Sequence, residues 1–136
     1  MKKIKEVSEM TGVSRRSLQF YDEIGLLPAE RTENNYRVYD EEALGRLWRI
    51  LIYREIGCKL SEIKELLNAA PEEQSEILDR HIDNMTQDIE KLKKNICLTT
   101  ALMEHKEFYY EFLRREEGTW VERIKEKFNY ESEKIK

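Results

Sequence analysis

Apolar residues recur along the first 70 positions at helical spacing, broken at regular intervals by turn signals. Val7 and Met10 lie three apart and give a short first helix an apolar stripe. Gly12 falls where the chain must turn, Val13 plugs the angle, and Ser14 is suited to cap a second helix that opens on Arg15. Leu18 points that helix inward, which leaves Arg15, Arg16, Ser17, Gln19, Phe20 and Tyr21 for its outer face. The second helix ends near Ile24, with Gly25 beyond it, and Pro28 blocks any continuation. The period then changes. In ERTENNYRVY, Asn34-Asn35 is a turn pair, and Tyr36, Val38 and Tyr39 have strand preference. The pattern predicts a small β-hairpin carrying Arg31 and Arg37. A two-stranded hairpin is marginal alone, so it must lean on the helices.

Helical spacing resumes at Asp40, which caps a third helix with Glu41 and Glu42 at its positive end. Leu44, Leu47, Trp48, Leu51 and Ile52 form its predicted stripe, and Gly57 ends it. Leu60 to Ala69 is a fourth helix with Ile63, Leu66 and Leu67 inward. Cys58, in the corner between the two, reads as a small buried hydrophobe. From Pro71 to Gly118 neither Pro nor Gly interrupts the chain. Leu78, Ile82, Met85, Ile89, Leu92, Ile96, Thr99 and Met103 step by four and three, which is a heptad seam. A helix over this stretch is about 65 Å long. Its seam predicts a homodimer. After a break at REEGT, Thr119 and Glu122 form a capping box for a last helix with Trp120, Ile124 and Phe128 on one face.

Two short helices around a tight turn, the second with cations outward, are the layout of a helix-turn-helix. Two Arg on the first turn reach phosphate, and the Gln19 amide offers a donor and an acceptor to a base edge. A helical hairpin with solvated arginines is the alternative on this stretch alone. Composition bears on the choice. The 136 residues carry a net charge of −4, with 38% charged and 40% hydrophobic residues. Residues 1–60 hold 11 Lys+Arg against 10 Asp+Glu, and residues 61–136 hold 13 against 18. DNA affinity therefore has to come from where the arginines sit, not from bulk charge. No apolar run approaches the ~20 residues of a membrane span. The start, MKKIKEVSE, has no signal-peptide core, so the cytoplasm is the expected location.

The run SRRSLQFYDEIGLLPAERTENNYRVYDEEALGRL, followed by REIGCKLSEIKELL, closely resembles the MerR family of bacterial transcriptional regulators, particularly its drug-responsive activators. Gly12-Val13-Ser14, Tyr21-Asp22, Ile24-Gly25-Leu26-Leu27 and Tyr36-Arg37-Val38-Tyr39 carry the likeness across about the first 70 residues. The resemblance implies a mainly α protein in three parts. Residues 1–70 form a winged helix-turn-helix of four helices and a β-hairpin wing. Residues 71–116 form an antiparallel coiled-coil dimerisation helix, and residues 117–136 a short C-terminal helix. It further implies that Arg16 holds phosphate, that Tyr21 packs on the DNA backbone, and that Tyr36 and Arg37 on the wing grip flanking phosphates. Lys59, opening the fourth helix, is placed to reach another phosphate. Gln19 stands where many members have Arg, Phe20 where Tyr or His is frequent, and Asn35 where Gly is usual. The expected partners are a promoter operator in double-stranded DNA, a second copy of the chain and, indirectly, RNA polymerase. The dimer is expected to distort a promoter with an overlong spacer.

Regulators of this kind differ in what they sense. Metal-sensing members resemble one another in a Cys at the start of the dimer helix and a Cys-containing loop after it, and this chain has neither. Cys97 and His105, eight residues apart, are about 12 Å from each other along one helix, too far for one ion. His81 is the remaining soft ligand; no metal site and no cofactor is expected. Cys97, with Lys93 and Lys94 one turn back, is the candidate reactive thiol. Phe108, Tyr109, Tyr110 and Phe112, with Trp120, are the candidate walls of a pocket for a small apolar or aromatic effector. With no room for a separate effector domain, such a pocket has to be built by the dimer interface. Two other classes stand beside the regulator. One is a protein–protein adaptor or anti-activator working through the coiled coil and aromatic tail. The other is an enzyme, against which stands the lack of any nucleophile–base pair, phosphate loop or metal motif.

Overall fold

A computed structural model of the chain describes residues 1–104 and 118–133. Two compact units divide it, Met1–Asp79 and Arg80–Lys136. No described helix is long and apolar enough to cross a membrane.

The N-terminal unit begins with a strand, β1 (Lys2–Lys3), followed by α1 (Ile4–Thr11) and α2 (Arg15–Glu23). A hairpin of β2 (Glu30–Arg31) and β3 (Arg37–Tyr39) follows, then α3 (Glu41–Glu55) and α4 (Leu60–Asn68). The sheet order is β1-β3-β2, antiparallel throughout, with Lys3 opposite Val38 and Arg31 opposite Arg37. The two-stranded hairpin predicted above is therefore braced by a third strand. Lys2-Lys3 has no strand preference of its own, and only pairing with β3 makes it one.

The local signals act as their chemistry requires. Gly12 takes φ +78° and closes α1 with its N–H on the Ser8 carbonyl, 2.9 Å away. That left-handed turn costs a residue with a β-carbon roughly 1–2 kcal/mol. The Ser14 hydroxyl accepts the Ser17 N–H at 3.0 Å and opens α2. The Asp40 carboxylate accepts the Ala43 N–H at 2.8 Å and opens α3. Asn35 holds φ +65° at the hairpin tip.

The core joins Val7, Leu18, Leu26, Leu27, Leu47, Ile50, Ile63 and Leu66, all almost fully buried. Two predicted stripes need correction. On α1, Val7 is buried but Met10 is exposed. On α3, the buried face is centred on Leu47 and Ile50. Leu44 and Leu51 flank it, while Trp48 is 67% exposed and Ile52 is exposed as well. The cause is geometric. At about 100° per residue, Trp48 and Ile52 lie about 100–140° round the helix from Leu47, beyond the arc that α4 and β3 cover.

Helix α5 runs from Pro71 to Glu104. Its first turns are anchored in the N-terminal unit. Gln74 donates its side-chain amide to the Leu66 and Ala69 carbonyls, and Ile77 and Leu78 pack on the core. Leu78, the first position of the predicted seam, is partly buried against that core. From Ile82 onward the seam residues Ile82, Met85, Ile89, Leu92, Ile96 and Met103 are 39–77% exposed. Leu98 and Ala101, off the seam, are buried. Helix α6 (Trp120–Glu133) opens on the predicted capping box. The Glu122 carboxylate accepts the Thr119 N–H at 3.3 Å, and the Thr119 hydroxyl accepts the Glu122 N–H at 3.2 Å.

Candidate nucleic-acid interface

Helix α2 is fixed from below and bare above. Leu18 and Tyr21, three residues apart, face the core. Arg15, Arg16, Gln19 and Phe20 are all exposed, and they share an arc of about 140° at 3.6 residues per turn. Ser17 is half-buried, with its hydroxyl 3.0 Å from that of Ser14. This face offers two guanidinium groups to anions, one amide to hydrogen-bonding edges and one aromatic ring for apolar contact.

Tyr21 is a correction. It is 5% exposed, with its ring in the core and its hydroxyl accepting from the Arg54 guanidinium at 2.8 Å. Its spacing of three from Leu18 turns it inward, whereas Phe20, one position earlier, stays outside. The rings of Phe20 and Tyr21 are 6.3 Å apart and tilted, one outside and the other inside. Tyr21 also shapes the end of α2, because its carbonyl accepts the N–H groups of both Leu26 and Leu27.

The wing is tied to α2 by Asp22, a residue whose position in the sequence suggests no such role. Asp22 accepts from Arg37 Nε at 2.8 Å and from the Ala29 N–H at 3.1 Å, and Arg31 lies 3.6 Å away. Burial pulls the Asp22 carboxyl upward, but these hydrogen bonds and the two guanidinium charges outweigh it and hold the group below its ordinary range. Arg37, expected at the DNA surface, is 17% exposed, with its Nε donating to this carboxylate. Arg31 is 41% exposed and also donates to the Asn35 carbonyl at 3.1 Å. Tyr36 is exposed on the wing. Lys59 is exposed at the start of α4, where Glu62 accepts its N–H at 3.0 Å. The contacts of Asp22 and Arg54 span 15 and 33 residues in sequence, so no local pattern announced them.

The sensing residues fare differently. Burial, reinforced by the Glu62 carboxylate, pushes the Cys58 thiol up, as suits a core residue. Cys97 is half-buried. Of the expected pocket walls, Trp120 is 62% exposed on the first turn of α6 in the single chain. Phe108, Tyr109, Tyr110 and Phe112 lie outside the described residues, as does His105.

A family model described as MerR HTH family regulatory protein matches residues 2–70. Among curated proteins, the HTH-type transcriptional activator mta of Bacillus subtilis is 42% identical over 99 residues, covering 65% of this chain and 38% of that protein. The chain thus spans about two fifths of that relative. The mercuric resistance operon regulatory protein of Bacillus cereus is 31% identical over 112 residues, 77% of this chain and 83% of that protein. Among solved structures, a cryo-EM structure of an EcmrR–DNA complex in EcmrR-RPo matches with a TM-score of 0.67 and 26% identity, over 78% of this chain and 40% of that one.

Proposed function

Because the chain belongs to the MerR helix-turn-helix family of regulatory proteins, we propose that it is a DNA-binding transcriptional regulator that works as a homodimer on an inverted-repeat promoter site. The observation that carries this reading is the bare face of α2. Arg15 and Arg16 take backbone phosphates, and Gln19 reads a base edge in the major groove. The helix is held rigidly enough to do so by Leu18 and Tyr21 beneath it. The chain as a whole is acidic, so affinity rests on these few cations and non-specific binding is weak. The exposed seam from Ile82 to Met103 supports the dimer: an apolar stripe of this length stays in water only without a partner helix. A two-fold pair presents two α2 helices about one or more DNA turns apart, ~34 Å each. The family resemblance adds distortion of the promoter, which places its elements for RNA polymerase.

The test separates positioning from reading. Arg16→Ala should weaken binding to all duplexes alike and lower the salt slope by about 0.9 for each phosphate it no longer neutralises. Gln19→Ala should leave the slope unchanged and relax preference at one base pair of each half-site. If both variants shift slope and preference equally, this division of roles fails.

A further inference from the structure

Two cations stand on the wing, at facing positions of one hairpin, and they are not equivalent. Arg37 sends Nε 2.8 Å to Asp22, with only 17% of its side chain exposed. Arg31, its cross-strand partner, stands 3.6 Å from the same carboxylate oxygen and is 41% exposed. Asp22 also accepts the N–H of Ala29, the residue just before β2. One carboxylate at the end of α2 therefore grips both strands of the wing, β3 through Arg37 and the entry to β2 through Ala29. The Tyr39 hydroxyl, fully buried with no hydrogen-bond partner, feels the charges of Asp22, Arg37 and Arg31. The clamp thus sits at the edge of the core, where a charge pair is poorly screened.

We infer that Asp22 and Arg37 are positioning residues that lock the wing to the recognition helix, and that Arg31 alone is the wing's mobile phosphate-binding cation. This rests on the DNA-binding reading above and deepens it. Arg37 is neutralised by its partner. Withdrawing it toward a phosphate would strand the half-buried Asp22 carboxylate. Arg31 is held more lightly, by a 3.1 Å hydrogen bond to the Asn35 carbonyl at the exposed hairpin tip and by its 3.6 Å contact to Asp22. Its longer contact to Asp22 can be exchanged for a phosphate while Arg37 keeps the carboxylate satisfied. The same acceptor then holds the wing in place in the free and the bound protein, and only one guanidinium per wing releases counterions.

The experiment has one arm without DNA and one with it. In the free protein, amide exchange at Ala29 should quicken about tenfold or more in Asp22→Asn, because the charge that strengthens this hydrogen bond is removed. It should quicken in Arg37→Gln as well, and the double variant should be no faster than Asp22→Asn alone. Arg37→Lys, which keeps the charge but not the Nε geometry, serves as the milder variant should Arg37→Gln fail to fold. In the DNA arm, Arg31→Gln should lower the salt slope by about 0.9 per wing, or about 1.8 for a dimer. Arg37→Gln, or Arg37→Lys in its place, should weaken binding with the slope unchanged. A slope reduced equally by Arg31→Gln and Arg37→Gln would make Arg37 a phosphate contact and overturn the inference. Unchanged Ala29 exchange in Asp22→Asn would overturn it too. If the wild-type chain binds no DNA, the regulator reading fails, while the free-protein arm still decides whether the clamp exists.

Discussion

Replacing Ile89 with Ala tests the pairing of α5 directly. Ile89 lies in the middle of the seam and is 52% exposed in the single chain, so about half of its side chain remains to be buried by a partner. Fully burying an isoleucine is worth about 1.5–3 kcal/mol, so the remaining half contributes about 0.8–1.5 kcal/mol. Two-fold symmetry counts the residue twice, for about 1.5–3 kcal/mol per dimer. At about 1.4 kcal/mol per factor of ten, the dimer dissociation constant should rise about 10- to 150-fold. Sedimentation equilibrium over a concentration series measures it. The control is Lys94→Ala, which is exposed and about 200° round the helix from Leu92. It should leave the constant within about twofold, a few tenths of a kcal/mol. If Ile89→Ala and Lys94→Ala give the same constant, the seam is not the interface.

Tyr21→Phe should cost about 1.5 kcal/mol, at the low end for a charged hydrogen bond because Arg54 regains water, and should lower Tm by roughly 5 °C. Tyr21→Ala should cost about 3–5 kcal/mol by emptying a core site, as read by urea denaturation; a cost below about 1 kcal/mol would place the ring outside the core. The Asp22 clamp should fail in acid. Its folded pKa is depressed, so the stability it contributes is present above the ordinary value of 3.8 and is lost as the pH falls through the folded value. Asp22→Asn should lack that acid-side loss in a titration followed by circular dichroism; parallel curves for the two proteins would refute it. Under native conditions a thiol reagent should modify half-buried Cys97 before buried Cys58, as mass spectrometry of peptides would report. The reverse order would contradict the packing of α3 against α4.

Much of the fold was legible because its punctuation is local. Gly12, Ser14, Asn35, Asp40 and the Thr119–Glu122 pair each act within a few residues of themselves, where sequence spacing equals spatial spacing. The exposed face of α2 followed from its period, Arg15, Arg16, Gln19 and Phe20 lying on one side. What was misread depended on neighbours far along the chain. Lys2-Lys3 is a strand only because β3 lies beside it. Trp48 and Ile52 belong to an apolar arc wider than the core that α4 and β3 provide. Leu78 continues the heptad and also packs against the N-terminal core, a contact that the heptad does not predict. Tyr21 had a local signal, its spacing from Leu18, and chemical likeness to Phe20 masked it. Asp22 had none, since it acts through Arg37 and Ala29 across a turn and a hairpin.

Sequence-specific DNA reading by a dimer is tested most directly by selecting bound duplexes from a random DNA pool with the purified protein at near-physiological salt. The expected product is an inverted repeat whose half-sites lie a whole number of turns apart, with enrichment relaxed at one position per half-site in Gln19→Ala. A folded dimer that enriches no sequence, or only single half-sites, would contradict it.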